Sequence, residues 1–287
     1  MQVLEQRDEI EYPESDGKPM AESGLHAEIM QTTTDTLRRF VIPAKDIYVT
    51  SNMLLYYEQG NNTKSISPDV LVLCDTHTEH RSSYQIWEEG RAPHIVIEIT
   101  SKSTHAEDEG RKAGLYLEMG VKEYFQYDAT QDYIKGHLKA RRNVDGHWEP
   151  MLNYVGATME DGVPMKIAFE SKVLRIAFCV NNKKELRLWS TKDACLLQTS
   201  IEIDQGQDRA LKLAESERVK KEAALNVARL EKKRADEEKQ RADELAQQAK
   251  DEAQRADDAI RQADEATRRE EAALQEILEL KALLSKQ

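Results

Sequence analysis

The chain changes character near residue 205, and this change constrains the possible folds more than any other feature. The last 83 of its 287 residues contain no proline and one glycine, Gly206. Alanine and charged or amide residues dominate there, a composition that favours continuous α-helix because it lacks helix breakers. We therefore predict three parts: a flexible N-terminal arm over residues 1–19, a folded domain over residues 20–200, and a helical tail over residues 205–287.

An apolar seam with heptad spacing runs along the tail. Its members are Ala235, Ala242, Ala249, Ala256 and Ala263, with Ala246, Ala253 and Ile260 between them, and then Ala266, Ala273, Ile277, Leu280 and Leu284 after a three-residue shift. This spacing predicts a coiled coil and hence a homo-oligomer, and the shift is a stammer. Since alanine buries little area, pairing should rest on the Leu/Ile-rich end. A solitary charged helix is the alternative.

The two parts of the chain differ in charge. The tail has 18 basic and 20 acidic residues, whereas the first 204 residues have 23 basic and 33 acidic ones. A protein that coats DNA through phosphate contacts is normally basic, so this role is disfavoured. An enzyme whose carboxylates bind divalent metal ions remains compatible with the acidic balance.

The sequence indicates a cytoplasmic protein. It contains no apolar run long enough to span a membrane, and residues 1–17 lack the features of a signal peptide. Its three cysteines, Cys74, Cys179 and Cys195, lie far apart, as expected of buried reduced thiols.

Residues 20–200 predict a compact α/β domain with a mixed sheet. Helices are expected at residues 20–40 and at about 105–119, the second with a Thr104–Glu107 capping box and a stop at Gly120. Strand-like runs occupy parts of 47–57, 70–74, 94–100, 123–128, 133–138, 148–155, 174–180 and 186–189. The order of helices and strands favours an α/β fold.

Glu98 is a candidate functional residue because it interrupts the aliphatic run Ile95–Ile99. A carboxylate buried there would need a partner or a metal ion, unless the strand lies at an edge and Glu98 faces water. Asp69, which opens the apolar run Val70–Cys74, is a second candidate, although Asp after Pro also occurs in ordinary turns.

Lys112 shares the apolar face of the second helix with Leu115, Tyr116 and Met119, so its ammonium should point toward the sheet. It would need a carboxylate there, either Glu98 or Asp108, unless it extends to the rim. Two carboxylates could hold Mg²⁺ or Mn²⁺, which would polarise a phosphodiester and activate water, and a lysine would stabilise the developing charge.

Several segments, in order over about residues 12–200, resemble the Uma-two family of restriction endonucleases in the PD-(D/E)XK nuclease superfamily. They are YPESDGKPMAESGLH, SPDVLVL, QIWEEGRAPHIVIEITSKST and DEGRKAGLYLEMGVKEYFQYD, followed more weakly by LRIAFCVNNKKELRLWSTKDACLLQT. The resemblance implies a restriction-endonuclease-like core and a metal-dependent endonuclease that acts on DNA. The alternative is a catalytically inactive nuclease-fold scaffold assembled by the coiled coil.

The resemblance also implies roles for individual residues. Asp69 corresponds to the PD aspartate and Glu98 to the (D/E) residue, and both would bind the metal. Thr100 occupies the usual lysine position, and in this family Lys112 takes the lysine's role. Lys102 competes for that role from a nearby loop, and His26 and Asp108 are possible accessory residues.

Overall fold

The computed structural model describes residues 10–15, 23–41, 43–44, 46–159 and 161–284. The elements of this part are, in order, α1 (Gly24–Val41), β1 (Ile47–Ser51), β2 (Leu55–Tyr56), β3 (Ser65–Ile66), β4 (Val70–Cys74), β5 (Tyr84–Gln85), α2 (Ile86–Glu89), β6 (Ile95–Ile99), α3 (His105–Glu109), α4 (Arg111–Met119), β7 (Glu123–Tyr127), β8 (Leu138–Val144), β9 (His147–Pro150), β10 (Ile167–Ser171), β11 (Ile176–Val180), β12 (Leu186–Ser190), β13 (Cys195–Leu196) and α5 (Ser200–Leu284). The chain divides into two compact units, residues 1–207 and 208–287.

The first unit is built on a mixed sheet with the strand order β1-β4-β6-β7-β8-β9. Strands β6 and β7 are parallel, and the other neighbouring pairs are antiparallel. A parallel pair needs a crossover, which α3 and α4 provide. The expected mixed α/β fold is therefore confirmed.

Buried side chains cover both faces of this sheet. On one face, Ile95, Ile97 and Ile99 belong to a core that includes α1 and the sheet β10-β11-β12-β13. On the other face, Val96 belongs to a core that includes Tyr116 of α4. Strand β6 is thus buried on both sides, as its continuous aliphatic sequence predicts.

The N-terminal arm and residues 20–22 of the first predicted helix lie outside the described residues, apart from residues 10–15. These six residues lie against the small sheet β3-β2-β5. The Tyr56 hydroxyl donates a 2.7 Å hydrogen bond to the carbonyl of Pro13, and the Tyr12 ring packs edge-on against the Tyr56 ring.

The second predicted helix is divided in two. Gly110 separates α3 from α4 with φ −102° and ψ −95°. The predicted capping box is wrong: the Thr104 side chain makes no cap hydrogen bond but accepts one from the Ser101 amide. The stop at Gly120 is confirmed, because this glycine is left-handed, and the Val121 amide donates to the carbonyl of Tyr116.

Two other sequence expectations need correction. Residues 133–137 form bends and a turn rather than a strand, and the strand begins at Leu138. The three cysteines are free, but only Cys179 is buried, whereas Cys74 is half-buried and Cys195 is exposed.

The tail is one continuous helix. The 85 residues of α5 span about 130 Å at 1.5 Å per residue. Its start carries a capping box: the Thr199 amide donates to the Glu202 carboxylate, and the Glu202 amide donates to the Thr199 hydroxyl. No helix within the described residues is long and apolar enough to cross a membrane.

Candidate active site

Asp69 and Glu98 lie on neighbouring antiparallel strands. The pairing of β4 with β6 ends at Val70 opposite Ile97, so one further step brings Asp69 opposite Glu98. Side chains alternate between the faces of a strand, and Glu98 therefore points to the same side as Val96, toward α4. The sequence places the two carboxylates in different segments, and strand register brings them together.

The Asp69 carboxylate joins β4, β6 and α1. Its Oδ2 accepts a 2.6 Å hydrogen bond from the amide of Ile99, the residue after Glu98. Its Oδ1 lies 3.1 Å from Nε2 of His26, near the start of α1. Both side chains are largely buried. His26 therefore contacts the candidate metal ligand itself, which agrees with its expected accessory position.

Glu98 is buried, with 1% of its surface exposed, and the edge-strand alternative is wrong. Its Oε1 accepts a 2.5 Å hydrogen bond from the Tyr116 hydroxyl and lies 3.1 Å from Nζ of Lys112. Burial, followed by the charge of Asp69, raises the pKa of Glu98 well above its usual value, and Lys112 opposes this shift.

Lys112 points into the protein and pairs with two carboxylates. Its Nζ lies 2.9 Å from Oδ1 of Asp108 as well as 3.1 Å from Oε1 of Glu98. Burial favours the neutral amine, but the two carboxylates outweigh this effect and raise the pKa of Lys112 above its usual value. The rim alternative is wrong, because the Lys112 side chain is largely buried and its Nζ lies beside these two carboxylates.

Asp108 is fully buried near the end of α3. Apart from Lys112, neither of its side-chain oxygens has a hydrogen-bond partner among the described residues. We call Asp69, Glu98, Asp108 and Lys112, with the adjoining His26, the carboxylate–lysine cluster. Three carboxylates face one ammonium in this cluster, an excess of negative charge that would attract a cation.

A cleft of about 1400 Å³ opens onto the cluster. Asp69, His26 and Lys112 line it, whereas Glu98 lies beneath Lys112 and is not part of its lining. Lys102 is exposed and lines the cleft without an ion pair to the cluster. The structure thus brings together every predicted site residue except Lys102, which stays at the cleft wall.

Two residues that the sequence analysis did not select belong to the site. Tyr116 donates a hydrogen bond to Glu98. Its position on the same helix face as Lys112 could have predicted this contact. The Thr100 hydroxyl is buried at the lysine position of the motif and has no hydrogen-bond partner in the described part of the chain. Thr100, the residue after β6, also lines the cleft.

The loop after β7 completes the cleft wall. The buried Asp128 carboxylate accepts hydrogen bonds from the amides of Thr130, Gln131, Tyr133 and Ile134. Although burial alone would raise its pKa, these hydrogen bonds lower the pKa of Asp128 below its usual value. Asp128 therefore fixes the loop that carries Tyr133 into the cleft.

The sequence is similar to a known family across this region. The family model described as "Uma2: Putative restriction endonuclease" matches residues 1–164. The chain belongs to this family. The match includes the whole carboxylate–lysine cluster, and the resemblance noted in the sequence is confirmed.

A solved structure is also similar to the chain. It is described as a putative nuclease belonging to DUF820 from Anabaena variabilis ATCC 29413, and it has 17% sequence identity and a TM-score of 0.36. The match covers 50% of this chain and 77% of that one. No curated protein matches the chain.

Proposed function

We propose that this protein is a metal-dependent endonuclease that hydrolyses DNA phosphodiester bonds and self-associates through its tail. The observation that carries the proposal is the proximity of Asp69, Glu98 and Lys112, of which Asp69 and Lys112 line the cleft and Glu98 lies beneath Lys112. Membership of a restriction-endonuclease family supports a nucleic acid as the substrate.

The donor set fits a hard divalent cation such as Mg²⁺ or Mn²⁺. No group of three or more His, Cys, Asp or Glu residues in the described part of the chain is arranged to hold a metal ion by itself. Mg²⁺ does not require one, because it commonly binds through one or two carboxylates plus water and substrate phosphate. Asp69 and Glu98 would hold the ion, which would polarise the phosphodiester and lower the pKa of water.

The remaining residues of the cluster have distinct roles. His26 and the amide of Ile99 orient the Asp69 carboxylate through its two oxygens. Lys112 carries the positive charge that would stabilise the developing negative charge of the reacting phosphate. Asp108 keeps this lysine charged and holds it at the cleft.

Cleavage assays with the purified full-length chain test the proposal. We expect Mg²⁺ or Mn²⁺ to support nicking or cleavage of DNA and Glu98→Gln to abolish it. Glu149→Gln, which alters an exposed glutamate on β9 of the same sheet, is the matched control and should leave cleavage unchanged. Glu98→Gln should remain folded, because it removes charge from a cluster with excess carboxylates.

A catalytically inactive scaffold is the second candidate. Thr100 at the usual lysine position and the covering of Glu98 by Lys112 and Tyr116 favour it. The same assays separate the two functions. Absence of cleavage with either metal ion would support the scaffold, whereas cleavage that Glu98→Gln leaves intact would exclude Glu98 from the active site.

The tail supports self-association with a second copy of the chain. The seam residues Ile277 and Leu280 are both more than half exposed on α5, which is an unfavourable state for large apolar side chains. The tail's 18 basic and 20 acidic residues nearly balance, so charge repulsion does not oppose pairing of identical helices. Light scattering of the full-length chain should give at least a dimer, and a monomer at tens of micromolar would exclude self-pairing.

A further inference from the structure

Two aromatic rings stack on each other beside the cleft. The ring centroids of His105 and Tyr133 lie 4.1 Å apart, and the ring planes are inclined by 15°. Tyr133 lines the cleft and has 38% of its surface exposed. A large aromatic side chain on the wall of a cleft presents a flat apolar surface to whatever occupies that cleft.

Hydrogen bonds fix the positions of both residues. The Tyr133 amide donates a 2.7 Å hydrogen bond to Oδ2 of the buried Asp128, whose carboxylate organises the whole loop. The Nδ1 atom of His105 lies 3.0 Å from the carbonyl oxygen of Lys102. The aromatic pair is therefore preorganised, and binding of a planar ligand would not lose conformational entropy by ordering it.

The charges of the cleft argue against binding through phosphates alone. Within the described part of the chain, Lys102 and Lys112 are the lysines that line the cleft, and no arginine does so. Lys112 is already paired with two carboxylates, and Glu14 and Asp132 add negative charge to the lining. Since every phosphate of a single strand or a duplex carries a negative charge, a DNA ligand of this cleft needs a source of affinity besides cations.

We infer that Tyr133, with His105 stacked behind its ring, stacks on an unpaired nucleobase and that the cleft takes single-stranded DNA. This inference rests on the proposed function and names its substrate class. A base in a duplex has both faces covered by its neighbours, whereas a single strand can present a face to an aromatic ring. Stacking does not distinguish the bases strongly, so weak sequence preference follows from the same contact.

Fluorescence anisotropy of the full-length chain tests the inference in EDTA, where metal-dependent cleavage does not proceed. The probes are fluorescein-labelled oligodeoxythymidine and a labelled duplex. We expect tighter binding of the single strand, and a loss of about ten-fold with Tyr133→Ala, the effect of one stacked base. Tyr133→Phe should retain binding because the ring remains. His147→Ala, at an exposed histidine on β9, should bind like the unmodified chain.

A series of single strands with one abasic nucleotide locates the contact without relying on the folding of a variant. One abasic position should weaken binding to the unmodified chain and have no further effect on Tyr133→Ala. Equal binding of single strand and duplex, or no loss at any abasic position, would overturn the inference.

The two proposals fail separately. Cleavage of duplex DNA that is abolished by Glu98→Gln but unaffected by Tyr133→Ala would remove the stacking inference and leave the nuclease. Tyrosine-dependent binding of single strands without cleavage in any metal ion would remove the nuclease and keep the stacking site.

Discussion

Lysine pairs with glutamate in both units of the chain, in opposite surroundings. In the globular unit, Lys112 lies 3.1 Å from the buried Glu98 and 2.9 Å from Asp108. In the tail, Lys233 lies 3.8 Å from Glu237, and both side chains are more than half exposed. Buried pairs lose much when one partner is removed, whereas exposed pairs contribute about 0–1 kcal/mol. The same residue types therefore organise a site in one unit and solvate a helix in the other.

The largest effect should come from breaking the buried pair. Lys112→Met leaves Glu98 and Asp108 without their cation, so we expect a loss of about 3–5 kcal/mol in the free energy of unfolding, together with loss of cleavage. Lys233→Met, the matched change in the tail, should alter it by at most about 0.5 kcal/mol. Urea unfolding measures both changes when it is followed by tryptophan fluorescence for the globular unit, which holds all three tryptophans, and by far-ultraviolet circular dichroism for the helical tail. Equal effects would mean that Lys112 does not balance the buried carboxylates.

Replacing a leucine by alanine should also change the free energy of unfolding very differently in the two units. Leu37 of α1 is fully buried in the core, and we expect Leu37→Ala to destabilise the globular unit by about 3 kcal/mol. Leu245 is exposed on α5, and Leu245→Ala should change the free energy of unfolding by less than about 0.5 kcal/mol. A large loss from Leu245→Ala would reveal that this part of the tail is buried in an assembly.

The predicted seam of the tail can be tested with two leucines of nearly equal exposure. Leu280 lies on the seam and is 54% exposed, whereas Leu278 lies off it and is 58% exposed. In a homo-oligomer, Leu280→Lys removes one buried leucine from each chain, so we expect association to weaken about 100-fold or more. Leu278→Lys should leave association within a few-fold, as measured by analytical ultracentrifugation. Comparable losses would mean that the seam has been assigned to the wrong face.

The smallest effect concerns the start of α5. Thr199→Ala removes the hydroxyl that accepts a hydrogen bond from the Glu202 amide. The first turn of α5 should therefore lose about 1 kcal/mol of local stability. Thr267→Ala removes a hydroxyl that donates to the Ala263 carbonyl in the middle of the same helix. This second change should be neutral or slightly stabilising, because alanine has the higher helix propensity. Amide hydrogen exchange measures the protection of the first turn in both variants. Equal protection in the two would contradict this prediction.

Strands with uninterrupted aliphatic sequences were the most predictable part of the fold. The run Val70–Cys74 is β4, and Ile95–Ile99 is β6, because both strands are buried on two faces and are apolar except for Glu98. The same rule made the single charge of Glu98 conspicuous. Its pairing with Lys112 was also predictable, since helical spacing puts Lys112 on the face of α4 that covers the sheet.

Features that depend on contacts distant in sequence were not predictable. The sequence of β8, LKARRNV, is too polar to predict a partly buried strand. Its Arg142 is accommodated there because it donates hydrogen bonds to the Glu123 carboxylate and to the carbonyl of Glu170. The Thr104–Glu107 motif looks like the motif that does cap α5, but the Thr104 hydroxyl is used by the Ser101 amide instead. The stacking of His105 on Tyr133 joins the start of α3 to the loop after β7, and no local pattern connects these two segments.

The delivery of Lys112 by a helix has a consequence for how relatives of this chain can diverge. A lysine on the same strand as Glu98 would have to keep a spacing of two residues, because a strand repeats every second residue. Lys112 is held instead by the packing of Ala113 and Tyr116 of α4 against the sheet. Insertions or deletions between Thr100 and the start of α3 can therefore accumulate without displacing the ammonium. Searches for a glutamate and a lysine at fixed spacing would pass over such relatives, whereas searches that score the strand and the helix separately would retain them.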